Sequence, residues 1–230
     1  MNHPRRITRL LSLCVIALVG CAGRGPRSQG PSSGLGGGFS VRDFLYAGEY
    51  PPRGMGAYGY LVFPTRPTAE NSSRYARVCT EYLAIFEPSN EFSGVEQNTL
   101  MITFWPLATT PIPAKDNPNC ENLVAKYNYA LGSMIASSVE KSDSNGPLLV
   151  AWDTPYRGPI QTGNALVLDM SDFNDEDIGR AFRIWKNQIS KGPGRWDQGL
   201  MYTKMREAIR NILQDNSQAI DKVLTSIYQK

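Results

Sequence analysis

The chain has 230 residues, with 24 basic and 21 acidic side chains, four cysteines and one histidine. Three of the arginines and the histidine, His3, lie in residues 1–20, so residues 21–230 carry 21 basic and 21 acidic side chains and no histidine. This balance does not favour a nucleic-acid partner. The lack of histidine excludes Ser-His-Asp and Cys-His catalysis and histidine-ligated zinc from residues 21–230.

The first 20 residues have the pattern of a secretory signal. Arg5, Arg6 and Arg9 precede an apolar run over residues 10–19, which ends at Gly20-Cys21. A run of this length is too short for a membrane-spanning helix, which needs about 20 apolar residues. We therefore expect residues 1–20 to be a cleaved signal peptide.

The segment Leu18-Val19-Gly20-Cys21 resembles the lipobox of bacterial lipoproteins. A large apolar residue stands three positions before the cysteine and a small one directly before it, although Val19 departs from the commoner Ala or Ser. The resemblance covers residues 1–21 only. An ordinary signal peptide that happens to be followed by a cysteine is the alternative.

The resemblance implies cleavage before Cys21, a diacylglyceryl group on its sulfur and usually a further acyl chain such as palmitate on its amino group. Two or more chains anchor a protein stably to a membrane. Ala22 follows the cysteine where an Asp often signals retention in the inner membrane. The resemblance therefore implies a lipoprotein of the outer membrane that faces the periplasm.

Residues 21–40 comprise the lipidated cysteine and a stretch rich in Gly, Ser and Pro, which predicts a flexible tether. Residues 41–230 are enough for one globular domain with a sizeable core.

Two cysteines remain in the domain, because Cys14 leaves with the signal and Cys21 takes the lipid. Cys79 and Cys120 are an even pair in a chain bound for an oxidising compartment, so we predict a disulfide between them. Two separately buried thiols are the alternative. Two cysteines without histidine make a poor metal site, and we expect no metal and no cofactor.

The apolar runs of the domain predict four strands. The last two runs are continuous rather than alternating, which favours strands that are covered on both faces. The predicted strands are Ala57–Phe63, Thr99–Trp105, Pro147–Asp153 and Asn164–Met170.

Helical spacing of apolar residues predicts helices between and after these strands. The second begins with Asn117-Pro118, a good cap followed by a good first residue, and continues to Ile135. The third begins near Asn174, with acidic residues in its first turn. The four helical regions are Ala69–Phe86, Asn117–Ile135, one from Asn174 to before Gly192, and Trp196–Tyr228 with a possible break at Asn216-Ser217.

The element order is β-α-β-α-β-β-α-α. The first two β-α units predict parallel strands with right-handed crossovers. The ten residues Thr154–Gly163 have no helical pattern and predict an antiparallel connection. We therefore expect an α/β fold: a single-domain sandwich with a mixed, mainly parallel four-stranded sheet.

The acidic stretch Asp169–Asp177 does not fit a calcium loop, because Asn174 or Asp177 stands at the sixth position and an arginine at the twelfth. The start of a helix explains these acids better, with a weak cation site as the alternative.

Ligands collect beyond the carboxyl ends of parallel strands. Arg66, Trp105, Asp153 and Arg157 follow or end predicted strands, so they form a possible cleft for a sugar or a carboxylate-bearing ligand. The structural alternative is that the tryptophan caps the core and the Asp and Arg form a surface pair. No catalytic residue is singled out.

These features predict a non-catalytic envelope lipoprotein, held to the membrane by its lipid, that docks a partner protein or stabilises an assembly. The first alternative is a periplasm-facing module that binds a small ligand or a glycan, with a cleft at Arg66, Trp105 and Asp153. A carboxylate-based hydrolase is the second, and it needs two acids about 5–9.5 Å apart.

Overall fold

The computed structural model describes residues 38–109, 118–161, 163–189, 200–212 and 222–229. The predicted signal peptide, Cys21 and nearly all of the predicted tether lie outside these ranges. So does the possible helix break at Asn216-Ser217.

The described residues form one mixed sheet of seven strands, which lie in the order β3-β1-β4-β2-β5-β6-β7. The strands are β1 (Phe39–Tyr46), β2 (Ala57–Val62), β3 (Glu87–Pro88), β4 (Leu100–Leu107), β5 (Leu148–Trp152), β6 (Gly163–Asp169) and β7 (Leu224–Gln229).

Five α-helices lie within the described ranges: α1 (Ser72–Ile85), α2 (Cys120–Ala125), α3 (Tyr129–Ser138), α4 (Asp175–Ile189) and α5 (Leu200–Ile212). Two short 3-10 turns, Ser89–Phe92 and Gln97–Thr99, precede β4.

Strand direction defines two edges of the sheet. β1, β4 and β2 run parallel, whereas β5 runs against β2, with Tyr58 opposite Trp152. β6 and β7 continue the antiparallel pattern. We call the edge at which β1, β2 and β4 begin the entry edge, and the edge at which they end the far edge. β5 therefore ends at the entry edge, and β6 begins there.

Both faces of the sheet are buried, which is why its central strands are almost entirely apolar; Thr103 of β4 is a buried polar residue. Every residue of β2 and of β4 is buried. One face packs against α1, α2, α4 and α5, and the other against α3, the first 3-10 turn and the β5–β6 loop. Burial of this kind contributes about 25 cal/mol per Å² of apolar surface, which makes it the main favourable term for the fold.

The α/β class and the antiparallel pairing of β5 with β6 are confirmed, but the prediction of four strands was wrong. It missed β1, β3 and β7. β1 contains two charged residues, Arg42 and Asp43, so its sequence does not have the apolar pattern of a buried strand. Both side chains are hydrogen-bonded: the Arg42 Nε donates to the Phe86 carbonyl at 2.8 Å, and the Asp43 carboxylate accepts from the Ser89 hydroxyl at 2.8 Å.

The predicted C-terminal helix was also wrong in its last part. Residues 224–229 form β7, which pairs with β6. Their apolar spacing suited a helix, yet Thr225, Ile227 and Tyr228 are residues that favour strands, and pairing with the sheet decides the conformation.

The second predicted helix is divided into α2 and α3, which are capped by Asn119 and Asn128. Tyr127 lies at the break, where it bridges to Leu107. Its buried hydroxyl donates to the Leu61 carbonyl at 2.9 Å and accepts from the Phe63 amide at 3.1 Å. A continuous helix could not form these bonds, which join Tyr127 to the end of β2.

The parallel arrangement predicted for the strand after this helix was wrong, since β5 joins the sheet antiparallel to β2. The predicted start of the third helix is confirmed. The Asn174 side chain accepts from the Asp177 amide at 2.9 Å, and three acids occupy the first turn of α4. Negative charge at that position is favourable to the helix dipole.

The predicted Cys79–Cys120 disulfide is confirmed. The two cysteines lie on α1 and at the start of α2, with their Cα atoms 5.7 Å apart. Both helices cover the same face of the sheet, and Cys79 is fully buried there.

Replacing both cysteines, as Cys79→Ala with Cys120→Ala, is expected to lower the free energy of unfolding by about 4 kcal/mol. The disulfide joins residues 41 positions apart, and its removal raises the conformational entropy of the unfolded chain. Urea unfolding without reductant measures the difference. Reductant should destabilise the native chain by the same amount and leave the double variant unchanged; equal stability of the two chains without reductant would contradict this role of the bond.

Candidate functional site

The structure does not bring the four predicted cleft residues together. Asp153 follows β5 at the entry edge, and Arg157 lies in the same loop. Arg66 follows β2, so it lies at the far edge. Trp105 is fully buried within β4, where its Nε1 donates to the Leu123 carbonyl at 3.3 Å. The reason is the direction of β5, which carries Asp153 away from the carboxyl ends of β2 and β4.

Asp153 and Arg157 instead help to line an open hollow of about 610 Å³ at the entry edge. We call it the loop hollow. The β1–β2 loop forms one wall and the β5–β6 loop the other. Its lining residues are Arg53, Gly54, Met55, Tyr58, Asp153, Thr154, Pro155, Arg157, Ile160 and Gln161.

The β5–β6 loop is held to the core through Tyr156. The Tyr156 ring lies 5.4 Å from the Trp152 ring and 6.1 Å from the Tyr60 ring. Its backbone amide donates to the buried Tyr60 hydroxyl at 2.9 Å. A loop residue that reaches into the core in this way fixes the path of the chain on either side of it.

Gln161 closes the same loop from within. The Gln161 side chain is buried, its Oε1 accepts from the Arg157 amide at 3.3 Å, and its Nε2 donates to the Thr154 hydroxyl at 3.0 Å. On the opposite wall, the Met55 amide donates to the Tyr58 hydroxyl at 3.1 Å. Both walls of the loop hollow are therefore bonded to tyrosines of β2.

The side chains that this framework presents to solvent are of two kinds. Arg53, Asp153 and Arg157 are exposed and charged. Ile160 is 89% exposed, the highest value among the large apolar side chains of the described residues. Asp153 is the one acid among the described residues that line the loop hollow.

Tyr60 and Tyr156, which hold the β5–β6 loop, stay protonated at neutral pH. Burial raises the pKa of Tyr60 far above its usual range, and the bond from the Tyr156 amide opposes this only partly. Burial also raises the pKa of Tyr156, against the effect of the Ser138 hydroxyl. Both hydroxyls act as neutral hydrogen-bonding groups, and neither is suited to be a general base.

A second hollow, of about 330 Å³, lies at the far edge, and we call it the Tyr50 hollow. Tyr50 is 73% exposed and Met134 of α3 is 46% exposed. The hollow is lined by Tyr46, Ala47, Gly48, Glu49, Tyr50, Asn128, Ala130, Leu131 and Met134.

The turn that carries Tyr50 has a defined geometry. The Glu49 amide donates to the Tyr46 carbonyl at 3.0 Å, and the Glu49 carboxylate accepts from the Tyr46 amide at 3.3 Å. Gly48 has a φ of +84°, a conformation that favours glycine. The turn is therefore closed by its own bonds.

Arg66, which was predicted to lie with Asp153, is found near the Tyr50 hollow. Its guanidinium carbon lies 5.1 Å above the centre of the Tyr129 ring, and Tyr129 follows Asn128 of the hollow. Burial raises the pKa of Tyr129 to about 12, and Arg66 opposes that rise. The contact is a cation–π pair at the protein surface.

Asp169, from the acidic stretch, has a structural role at the far edge. One carboxylate oxygen accepts from the Ser171 hydroxyl at 2.5 Å, and the other lies 3.3 Å from the Lys141 ammonium. The contact with Lys141 joins the end of β6 to the segment after α3. No group of three or more His, Cys, Asp or Glu side chains suited to a metal ion occurs within the described ranges.

The chain matches no protein-family model, no curated protein and no solved structure. Among the described residues, no helix has the length and apolar character needed to cross a bilayer.

Tyr60→Phe is expected to loosen the β5–β6 loop, because it leaves the Tyr156 amide buried without its acceptor, at a cost of about 1–3 kcal/mol. Hydrogen exchange read by mass spectrometry should show faster exchange over residues 154–161. Tyr50→Phe, which removes an exposed hydroxyl at the opposite edge, is the matched control and should leave this loop unchanged. Equal protection of the loop in all three chains would contradict the assigned role of Tyr60.

Proposed function

We propose that the protein is a lipid-anchored component of the bacterial envelope, attached through Cys21, whose domain binds a partner protein without catalysis at the Tyr50 hollow. The outer membrane, facing the periplasm, is the proposed location because of Ala22. The observation that carries the proposal is an exposed apolar hollow at the end of the sheet opposite the start of β1.

The geometry of β1 supports this arrangement. Gly38 directly precedes β1, and the Tyr50 hollow begins at Tyr46, the last residue of β1. A strand of eight residues spans about 26 Å. A partner can therefore reach the Tyr50 hollow without competing with the membrane for space.

The side chains at the Tyr50 hollow suit a protein contact. Tyrosine and methionine are enriched at interfaces, where tyrosine combines a large apolar ring with a hydroxyl, and methionine adapts its shape to a partner. Only two large apolar side chains are exposed here among the described residues. A small apolar area of this kind favours a reversible contact with one inserted side chain over a permanent interface.

Several observations support a binding role over catalysis. Residues 21–230 contain no histidine. The loop hollow has a single acid among its described lining residues, whereas a carboxylate-based hydrolase needs two. The glycan alternative relied on Trp105 as a stacking platform, and this side chain is inside the core.

A photoreactive amino acid at Met134 tests the proposal in intact cells that produce the full chain. We expect one discrete adduct, and we expect Tyr50→Ala to reduce its yield at least fivefold, because both side chains contact the same partner. Truncation of a central aromatic anchor commonly costs 1–2 kcal/mol or more.

The same photoreactive group at Asn122, an exposed residue of α2, is the matched control and should not form this adduct. Mass spectrometry identifies the partner. The proposed docking site is wrong if the adduct also forms from Asn122, or if its yield does not depend on Tyr50.

A further inference from the structure

We propose that the loop hollow is a membrane-facing surface, in which Arg53 and Arg157 bind the phosphate groups of lipid headgroups and Ile160 enters the interface between headgroups and acyl chains. This inference rests on the proposed anchor at Cys21. It assigns to the entry edge a role separate from that of the Tyr50 hollow.

The loop hollow lies on the same edge of the sheet as the point where the chain enters the domain. The chain enters the domain at Gly38, at the start of β1. The loop hollow lies where β2 begins and β5 ends, and β5 is three strands away from β1 in the sheet. With strands about 4.8 Å apart, this is a separation of about 14 Å along the same edge.

The chain between the proposed anchor and the domain is short. Sixteen residues separate Cys21 from Gly38. Even a fully extended segment reaches no further than about 60 Å, and a glycine-rich coil of this length averages about 23 Å. Attachment through a segment of this length keeps the domain near the bilayer, where even a weak lipid contact is favoured by its high effective concentration.

The exposed side chains of the loop hollow suit a surface that carries phosphate groups. A guanidinium group forms paired hydrogen bonds with phosphate oxygens, and Arg53 and Arg157 present two such groups at one hollow. Because Asp153 offsets one of the two arginines, the side chains that line the loop hollow have a formal net charge of +1. Glu96, exposed directly before the neighbouring 3-10 turn, limits the positive charge of the whole edge. We therefore expect a weak contact that orients an already anchored domain.

Ile160 supplies the apolar part of the contact. It follows Gly158 and Pro159 in the loop and is 89% exposed. An apolar side chain beside arginines is the combination by which proteins bind the surface of a membrane. Because Tyr156 and Gln161 already hold the loop, little conformational entropy is lost when it binds.

Co-sedimentation with lipid vesicles tests the inference without the anchor. The chain from residue 21 to residue 230, with Cys21→Ser, is mixed with vesicles of phosphatidylcholine and phosphatidylglycerol in equal parts. We expect binding that falls about fivefold in Arg53→Gln and again in Arg157→Gln, since each arginine near an anionic surface contributes about 1 kcal/mol. Vesicles of phosphatidylcholine alone should bind more weakly.

Ile160→Asn should also weaken binding, and its matched control is Met134→Asn at the far edge, which should bind like the unsubstituted chain. Unfolding in urea checks that these exposed substitutions leave the fold intact. Binding that is absent, or that is the same in the Arg53, Arg157 and Ile160 variants, would overturn the inference. Binding of inorganic phosphate that depends on Arg53 and Arg157, with no binding to vesicles at the same ionic strength, would replace the membrane with a free phosphate ligand and overturn it too.

The intact mass of the native protein separates failure of this inference from failure of the proposed function. If the native protein starts at Cys21 and is acylated there, but the unacylated chain ignores vesicles, the membrane-facing surface is wrong and the anchor stands. If the native protein is not acylated, the proposed anchor is wrong, and the membrane-facing surface loses its basis even where vesicles bind.

Discussion

The antiparallel pairing of β5 with β2 is the constraint on which the arrangement of the surface depends. β2 is buried along its whole length and pairs with β4 in one direction and with β5 in the other. The chain must therefore leave β5 at the edge where β1 and β2 begin. This places Asp153 and Arg157 beside Arg53, and it separates them from Arg66, which leaves β2 at the opposite end.

Two buried tyrosines connect surface segments to the sheet by hydrogen bonds. Tyr60, on one face of the sheet, accepts the Tyr156 amide and holds the β5–β6 loop at the entry edge. Tyr127, on the other face, bonds to the end of β2 and sets the point at which α3 begins. Each bond joins an element of the surface to the core, so the loop hollow and the Tyr50 hollow are both built on the rigid part of the molecule.

Local patterns in the sequence predicted the α/β class, the disulfide and the start of α4, because caps, apolar spacing and cysteine parity act over short distances. The direction of β5 is not a local property, since it depends on which strand β5 meets. β7 has helical spacing and strand-forming residues at once, and only pairing with β6 selects between them. A signal for the loop hollow was present in the sequence: Ile160 is a large apolar residue beside Gly158 and Pro159, where turns usually carry polar side chains.

The central claim is that the two edges of the sheet have different surroundings, membrane at the entry edge and partner at the far edge. Fluorescence quenching by bromine-labelled lipids in the acylated protein tests it directly. With Cys21 acylated and the other two cysteines bonded, an engineered cysteine at position 160 or 134 is the sole free thiol for a fluorophore. We expect strong quenching at position 160 and little at position 134. Equal quenching, or stronger quenching at position 134, would contradict it.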